Sequence, residues 1–266
     1  MSGGMALVSS LALAAAVAGS HIPLARLALV EQRVEVVSEG GTWQRAVEGA
    51  SLSPGQSLRT GSDGLARVEL SWMALTLTPG STLRLPDALV LSAALDVGRA
   101  LVEGEQRDTL KLVTPEAEVR GRGRAVVRRE GGRTLVSCLS GRFHVAARRG
   151  AVMLTGGQGT LVERGGAPSA PQPLPEAPGS ALWPARDPVY ATGGGSVELR
   201  WQGKGAFQIE LLPVGSEVVL LQRDVGPPPA RITIPWEGAF RWRVAARDAR
   251  GLEGLPSPEG LIAVEK

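Results

Sequence analysis

The sequence contains very little of the chemistry that metal sites and nucleophilic enzymes use. It has one cysteine, Cys138, and two histidines, His21 and His144, in 266 residues. One cysteine cannot form an intramolecular disulfide, and with two histidines it cannot complete a four-ligand zinc cluster. No glycine-rich stretch opens a helix, so a nucleotide loop is absent as well. We therefore expect no metal and no cofactor.

Lysine is also scarce, and nearly all of the positive charge comes from arginine. Of the 29 basic residues only Lys111, Lys204 and Lys266 are lysines. The isoelectric point is about 9.6, but the formal net charge is only +3. Acidic and basic residues nearly balance both before and after Gly165, unlike the basic excess of nucleic-acid-binding proteins. No nucleic-acid partner is expected.

Long apolar runs are missing except at the amino terminus, where residues 5–18 read MALVSSLALAAAVA. As a helix this run spans about 21 Å, short of the roughly 30 Å of a bilayer core. Ala16 and Ala18 have the small-residue spacing of a signal-peptidase site. This spacing favours a cleaved export signal that occupies residues 1–26, and therefore a periplasmic or otherwise extracytoplasmic protein. No cation precedes the run, which leaves open an inner-membrane anchor over residues 5–25 or a plain helix.

Beyond residue 26 apolar and polar residues alternate with a period of two, as in residues 66–70, 125–129 and 240–246. This alternation, interrupted by glycine and proline, predicts short strands with one inward face and an all-β fold. The glycines of residues 121–123 and Gly141 are predicted to separate such strands. Residues 165–180 hold five prolines, which fix φ and lack amide donors, so this segment is expected to stay out of any sheet. The predicted parts are residues 1–26, a domain over 27–165, a linker over 166–180 and a small β-sandwich over 181–266.

The first domain carries many landmarks in a fixed order. They are Gly55, Leu58, Gly61, Gly64, Val68, Leu70, Leu75, Leu77, Pro79, Ser81 and Leu83, followed by Gly98-Arg99-Ala100, Val113-Thr114-Pro115, Gly141-Arg142-Phe143 and Gly157-Gln158. Over roughly residues 28–165 this series resembles the FecR family of bacterial envelope domains. The resemblance implies a many-stranded, two-layer, β-solenoid-like domain that is periplasmic and non-catalytic. Residues 71–74 and 123–126 depart from the family pattern.

Signalling members of that family combine a cytoplasmic sigma-factor-binding segment, a transmembrane helix and a periplasmic part that contacts a transporter. Here about four residues precede the apolar run, so the regulatory role is not expected to accompany the fold. The favoured function is a non-catalytic binding or scaffolding protein of the cell envelope. The alternatives are a membrane-anchored signalling regulator that relays an outer-membrane receptor signal and, remotely, an envelope hydrolase.

The second domain ends in an alternating strand followed by Asp248, Gly251, Gly254 and Pro256. This pattern is similar to the penultimate strand and closing turn of fibronectin type III-like and immunoglobulin-like sandwiches, over roughly residues 182–264. Alternation places the inward residues and Trp201 in the core. The same alternation predicts that Arg241, Arg243 and Arg247 lie on the solvent side.

The residues that are most often catalytic receive structural interpretations. Cys138 ends an apolar strand and is predicted to be a buried thiol, whereas His144 is predicted to be exposed. Two glutamate pairs, residues 103/105 and 116/118, have the spacing of about 7 Å that an acid and base pair needs. Arginine and glycine surround them without an aromatic platform for a sugar, so structural or solvated roles are expected. No catalytic residue is assigned.

One charge cluster has two interpretations, a binding surface and a protected edge strand. On an extended strand Arg120, Arg122 and Arg124 share one face, which is suited to an acidic envelope protein or to anionic glycan or lipid headgroups. Membrane contact is expected only if the amino-terminal segment stays uncleaved. The favoured alternative is an edge strand that charge protects from aggregation.

Overall fold

The structure is a computed structural model that describes residues 25–70, 73–85, 92–104, 110–179, 182–185, 189–192 and 195–265. It confirms the all-β prediction, because these residues form 23 strands and no helix. Residues 1–24 of the predicted export signal or anchor lie outside the described residues, whereas Ala25 and Arg26, the last two positions of the predicted signal, belong to the first strand. Within the described ranges no helix has the length and apolarity needed to cross a bilayer.

The strands fall into two groups along the chain. The N-terminal unit contains β1 (Ala25–Glu31), β2 (Val34–Val37), β3 (Gln44–Arg45), β4 (Ser51–Leu52), β5 (Ser57–Thr60), β6 (Leu65–Leu70), β7 (Met73–Leu77), β8 (Thr82–Arg84), β9 (Ala93–Gly104), β10 (Leu110–Val113), β11 (Ala117–Glu130), β12 (Arg133–Ala147), β13 (Gly150–Thr155), β14 (Gln158–Glu163) and β15 (Gln172–Pro173). The C-terminal unit contains β16 (Val189–Thr192), β17 (Ser196–Leu199), β18 (Ala206–Pro213), β19 (Leu221–Val225), β20 (Ala230–Thr233), β21 (Gly238–Arg247), β22 (Glu253–Pro256) and β23 (Gly260–Glu265).

Three long strands, β9, β11 and β12, connect two layers of the N-terminal unit. Each pairs with different neighbours along its two halves: β11 pairs with β10 and then β9, and β12 pairs with β14 and then β13. One half of each long strand joins β2, β3, β5, β8, β10 and β13 in what we call the outer layer. The other half joins β1, β4, β6, β7, β14 and β15 in the middle layer. The two layers enclose one apolar core, to which Phe143 and Val119 contribute from the outer layer and Val68, Leu75 and Val136 from the middle layer.

The predicted turns at residues 121–123 and at Gly141 are bends inside long strands instead. Gly123 and Gly141 are direct partners in the β11–β12 ladder, and their φ angles are +109° and +83°. A Cβ on Gly123 would lie 2.3 Å from the Ser140 carbonyl oxygen, and one on Gly141 would lie 2.1 Å from that of Arg122. Glycine is therefore needed where both strands pass between layers. Glycine occurs both at turns between strands and at bends within one strand, so the sequence alone does not distinguish the two.

The C-terminal unit is a sandwich of a six-stranded sheet and the β17–β20 pair. Its core contains the predicted Trp201, which packs edge-on against Phe207 with ring centroids 5.4 Å apart. Trp242 is fully buried, and its indole Nε1 donates to the Pro184 carbonyl at 2.8 Å. Buried indole groups need such an acceptor, so this bond fixes the chain entering the unit.

The proline-rich segment differs from the predicted linker, because part of it joins the sheet. β15 pairs with β14 through Gln172 and Pro173, and the Ser169 and Leu174 amides donate to carbonyls of the N-terminal unit. A proline can sit at a sheet edge where its missing amide would face away from the ladder. Leu174 is buried against Leu135 and Leu252, so the segment is anchored to both units.

The two units pack against each other face to face. The six-stranded sheet turns one side toward its own core and the other side toward the middle layer. One apolar contact joins Leu65 of the middle layer to Leu212 and Val219, and a second joins Leu135 to Leu252. The middle layer is therefore covered on both faces. Charged side chains, Arg99 and Arg128 among them, lie between these two apolar contacts.

Candidate functional site

A buried ion network lies at the centre of the contact between the units. The Arg99 guanidinium donates through Nε and Nη2 to both oxygens of Glu253, at 2.9 and 2.5 Å. Arg99 Nη2 also lies 3.4 Å from Glu210 Oε1, while Arg243 Nε donates to Glu210 Oε2 at 2.8 Å. All four side chains belong to residues that are at most 8% exposed. The Glu253 amide donates to Ser137 Oγ at 3.0 Å, which ties the backbone of one unit to the other.

Arg243 corrects an expectation, because the alternation of β21 predicted it on the solvent side. Alternation does place Arg243 on the face of β21 opposite to Trp242 and Val244, but the middle layer covers the face that carries Arg243. Arg241 and Arg247 share this face at its periphery, where Arg241 pairs with Glu259 at 2.9 Å and Arg247 with Asp224 at 2.9 Å.

Opposite charges keep Glu210 and Arg99 ionised despite their burial. Burial alone would raise the pKa of the Glu210 carboxyl, but the attraction of Arg243 and Arg99 outweighs it and lowers this pKa. Burial alone would lower the pKa of Arg99, but Glu253 and Glu210 reverse that effect and raise it. Buried charges persist only when their partners compensate for lost hydration.

Acid should weaken this network in a way that depends on Glu210. Its folded-state pKa lies below the ordinary value of 4.5, so its stabilising contribution is present above that value and is lost as the pH falls through the folded-state pKa. We expect Glu210→Gln to be less stable than the wild type at about pH 7, and to lose less further stability between about pH 5 and pH 3. Urea unfolding across this range measures both effects. The exposed Glu163→Gln should keep the wild-type acid dependence, and an unaltered acid dependence in Glu210→Gln would contradict the assignment.

The carboxylates considered as an acid and base pair are engaged by cations. Glu116 accepts from Arg129 Nη2 at 3.2 Å and from Thr134 Oγ1 at 3.0 Å. Burial raises the pKa of this carboxyl, but those donors outweigh burial and lower it. Glu118 lies 3.0 Å from Lys111 Nζ, and its pKa is likewise lowered. Carboxyls held in the charged form are poor proton donors at neutral pH.

The remaining candidates for catalysis are Glu103 and Glu105, the thiol of Cys138 and the imidazole of His144. Glu103 is held by Arg67 at 2.8 Å, and Glu105 lies outside the described residues. Cys138 is buried as predicted, its thiol directed at the Ser140 carbonyl at 3.6 Å, and burial raises its pKa to about 11. His144 is exposed, which confirms the prediction. Among described residues no group of three or more His, Cys, Asp or Glu side chains could hold a metal ion.

The predicted basic residues lie on β11, and the structure separates one of them from the others. Arg120 and Arg122 are exposed on the outer layer, where Arg120 pairs with Glu118. Arg124 follows the bend at Gly123, so it lies at the seam between the units, with its Nε 3.2 Å from Glu103 Oε1. The alternative of a protected edge strand is wrong, because β11 has ladder partners on both sides.

The strand register places further residues beside Arg120 and Arg122, and the sequence provided no reason to group them together. Arg120 lies between Lys111 on β10 and His144 on β12, and Arg122 lies opposite Arg142 on β12. Directly paired residues of a ladder share a face, so these five side chains form one surface, which we call the basic face. Like charges in opposite positions destabilise a sheet, so their concentration here favours an anion-binding role. Alternation in residues 142–144 was visible in the sequence, but the pairing of strands was not.

Comparisons with known proteins provide little further guidance. The sequence matches no protein-family model, and no curated protein gives a significant match. Two crystal structures of a protein described as a putative anti-sigma factor from Parabacteroides distasonis are similar to part of the chain, each with a TM-score of 0.39 and 16% sequence identity. Each match covers 44% of this chain and 59% of that protein, less than two thirds of its length. The FecR-like and fibronectin-like resemblances of the sequence stay predictions.

Proposed function

We propose that this chain is a non-catalytic binding or scaffolding protein of the bacterial cell envelope, with a FecR-like N-terminal unit and a fibronectin- or immunoglobulin-like C-terminal unit. The basic face is its partner-binding surface. The observation that carries the proposal is the register that places Lys111, Arg120, Arg122, Arg142 and His144 side by side on the outer layer. The partner is anionic, because the basic face concentrates the cations Lys111, Arg120, Arg122 and Arg142 on one surface, and a surface of one charge sign attracts a partner of the opposite sign.

The architecture supports this role by holding the surface in a fixed position. The basic face is built from paired strands instead of loops, and the outer layer that carries it shares a core with the middle layer. The middle layer is in turn joined to the C-terminal unit through the Arg99 network. A surface that is ordered before binding loses less conformational entropy when a partner docks.

The test removes the charges of the basic face and measures binding to anions. The probes are heparin, vesicles of phosphatidylglycerol and phosphatidylcholine, and an acidic peptide that alternates Glu and Val. We expect at least one of them to bind with an affinity that falls as salt rises, and Arg122→Ala/Arg142→Ala to weaken that binding about tenfold or more. Fluorescence anisotropy and vesicle sedimentation provide the readouts.

Two control variants make this result specific. Arg45→Ala/Lys204→Ala removes two exposed cations elsewhere and should leave binding unchanged. Arg124→Ala should also leave it nearly unchanged, because Arg124 lies at the seam between the units. Equal losses in all three variants, or no binding of any probe, would contradict the proposal. Retention of residues 1–18 in the mature protein, with crosslinks to a transporter, would favour the signalling regulator instead.

A further inference from the structure

The outer layer ends in an open strand beside the basic face. In the described part of the chain β13 has a single ladder partner, β12. An edge strand presents a row of backbone N–H and C=O groups that have no partner in the sheet. The Thr155 amide at the end of β13 is not free, because it donates to Gln158 Oε1 at 3.0 Å. The comparable edge of the middle layer is covered, because β15 pairs with β14 there.

β13 lacks the features that usually protect an edge. Its six residues, GAVMLT, contain no charge and no proline, and its register with β12 has no bulge. Met153 in its centre is 54% exposed. Natural proteins commonly protect such strands with lysine, proline or a bulge, so an unprotected apolar edge marks a surface that another chain covers.

Cations lie at both ends of this edge. Arg148 and Arg149 directly precede β13, and Arg142 is paired in register with Thr155 at its end. All three are exposed, and none forms an ion pair with a described carboxylate. Met153 lies opposite His144, which makes the edge continuous with the basic face.

We propose that β13 binds an extended acidic segment of another polypeptide, which adds to the outer layer as a further strand. This inference rests on the proposed function and specifies its partner. Only a polypeptide can satisfy the free N–H and C=O groups by strand pairing, whereas a glycan or a lipid headgroup cannot. Acidic side chains on such a strand complement the flanking arginines.

A second copy of this chain does not fit the same edge. Antiparallel pairing of two β13 strands would bring Arg148 and Arg149 of one chain to the end of the other chain's β13 that holds Thr155, whose ladder partner on β12 is Arg142. Like charges at a strand interface oppose pairing, so the edge favours an acidic partner over self-association.

The test uses the full chain and three labelled peptides. One alternates Glu and Val, the second has the same sequence with every amide N-methylated, and the third alternates Lys and Val. We expect the acidic peptide to bind, the N-methylated one to bind about tenfold more weakly or worse, and the basic one not to bind. Bound acidic peptide should also slow hydrogen exchange of β13 amides. Arg148→Ala/Arg149→Ala should weaken binding, whereas Arg45→Ala/Lys204→Ala should not.

The outcomes separate this inference from the proposed function. Equal binding of the N-methylated peptide, or binding of heparin or phosphatidylglycerol vesicles without any binding of the acidic peptide, overturns the strand pairing but leaves an anion-binding face. Concentration-dependent dimers with protected β13 amides overturn the acidic partner in favour of a second copy. If no peptide, vesicle or heparin binds, both proposals fail.

Discussion

Arg99→Ala should lower the free energy of unfolding by about 3 to 5 kcal/mol, because it leaves buried carboxylates without their counter-ion. Arg99 makes two hydrogen bonds to Glu253 and lies 3.4 Å from Glu210. Arg243 would still pair with Glu210, whereas Glu253 would lose the ion pair that Arg99 provides. The contact between the units should loosen first, since these charges lie between its two apolar contacts.

Urea unfolding at neutral pH measures this loss, and hydrogen exchange of the Glu253 amide, which donates to Ser137, locates it. The matched control is Arg120→Ala, which removes an arginine from an exposed ion pair with Glu118. An exposed pair contributes only about 0 to 1 kcal/mol, so this control should unfold almost as the wild type does. Similar stabilities of the two variants would show that the Arg99 network does not hold the units together.

Gly141→Ala should cost about 3 kcal/mol or more, because it combines an unfavourable φ with a backbone collision. The added Cβ would lie 2.1 Å from the Arg122 carbonyl oxygen, and neither strand can move without breaking the β11–β12 ladder. The bend that carries β12 between layers should be disturbed, and the basic face with it.

Gly157 provides a matched control for the collision. It has the same φ of +83°, but a Cβ there would meet nothing within 4 Å. Gly157→Ala should therefore cost only the conformational penalty of about 1 kcal/mol. Thermal and urea unfolding of both variants give the comparison, and equal costs would show that φ alone, not the close approach of the strands, requires glycine at residue 141.

Strand alternation identified most of the fold because it reflects a local property. Each inward residue of β11 and β12, such as Val119, Phe143 and Val145, is buried as its spacing predicts. The buried thiol of Cys138 and the exposed ring of His144 follow from the same spacing. Alternation could not distinguish a turn from a bend, so two long strands were predicted as four short ones.

The candidate site was predicted only in part, for a related reason. Arg120 and Arg122 lie together as expected, since both precede the bend at Gly123. Arg124 follows the bend and lies at the seam, while Arg142 joins the face from a neighbouring strand. Which strands pair, and in which register, depends on contacts between residues far apart in sequence.

The sequence alone determined that this chain is all-β and which side of each short strand is apolar, because these properties depend on residues two positions apart. The tertiary structure decided what covers the opposite side. β21 presents Arg243 to the middle layer, which turns a predicted solvent-facing cation into a buried ion pair with Glu210. Similarly, part of the proline-rich segment pairs with β14 and so belongs to the sheet. Whether a polar face contacts water, another layer or a partner strand is set by long-range packing, which alternation along one strand does not encode.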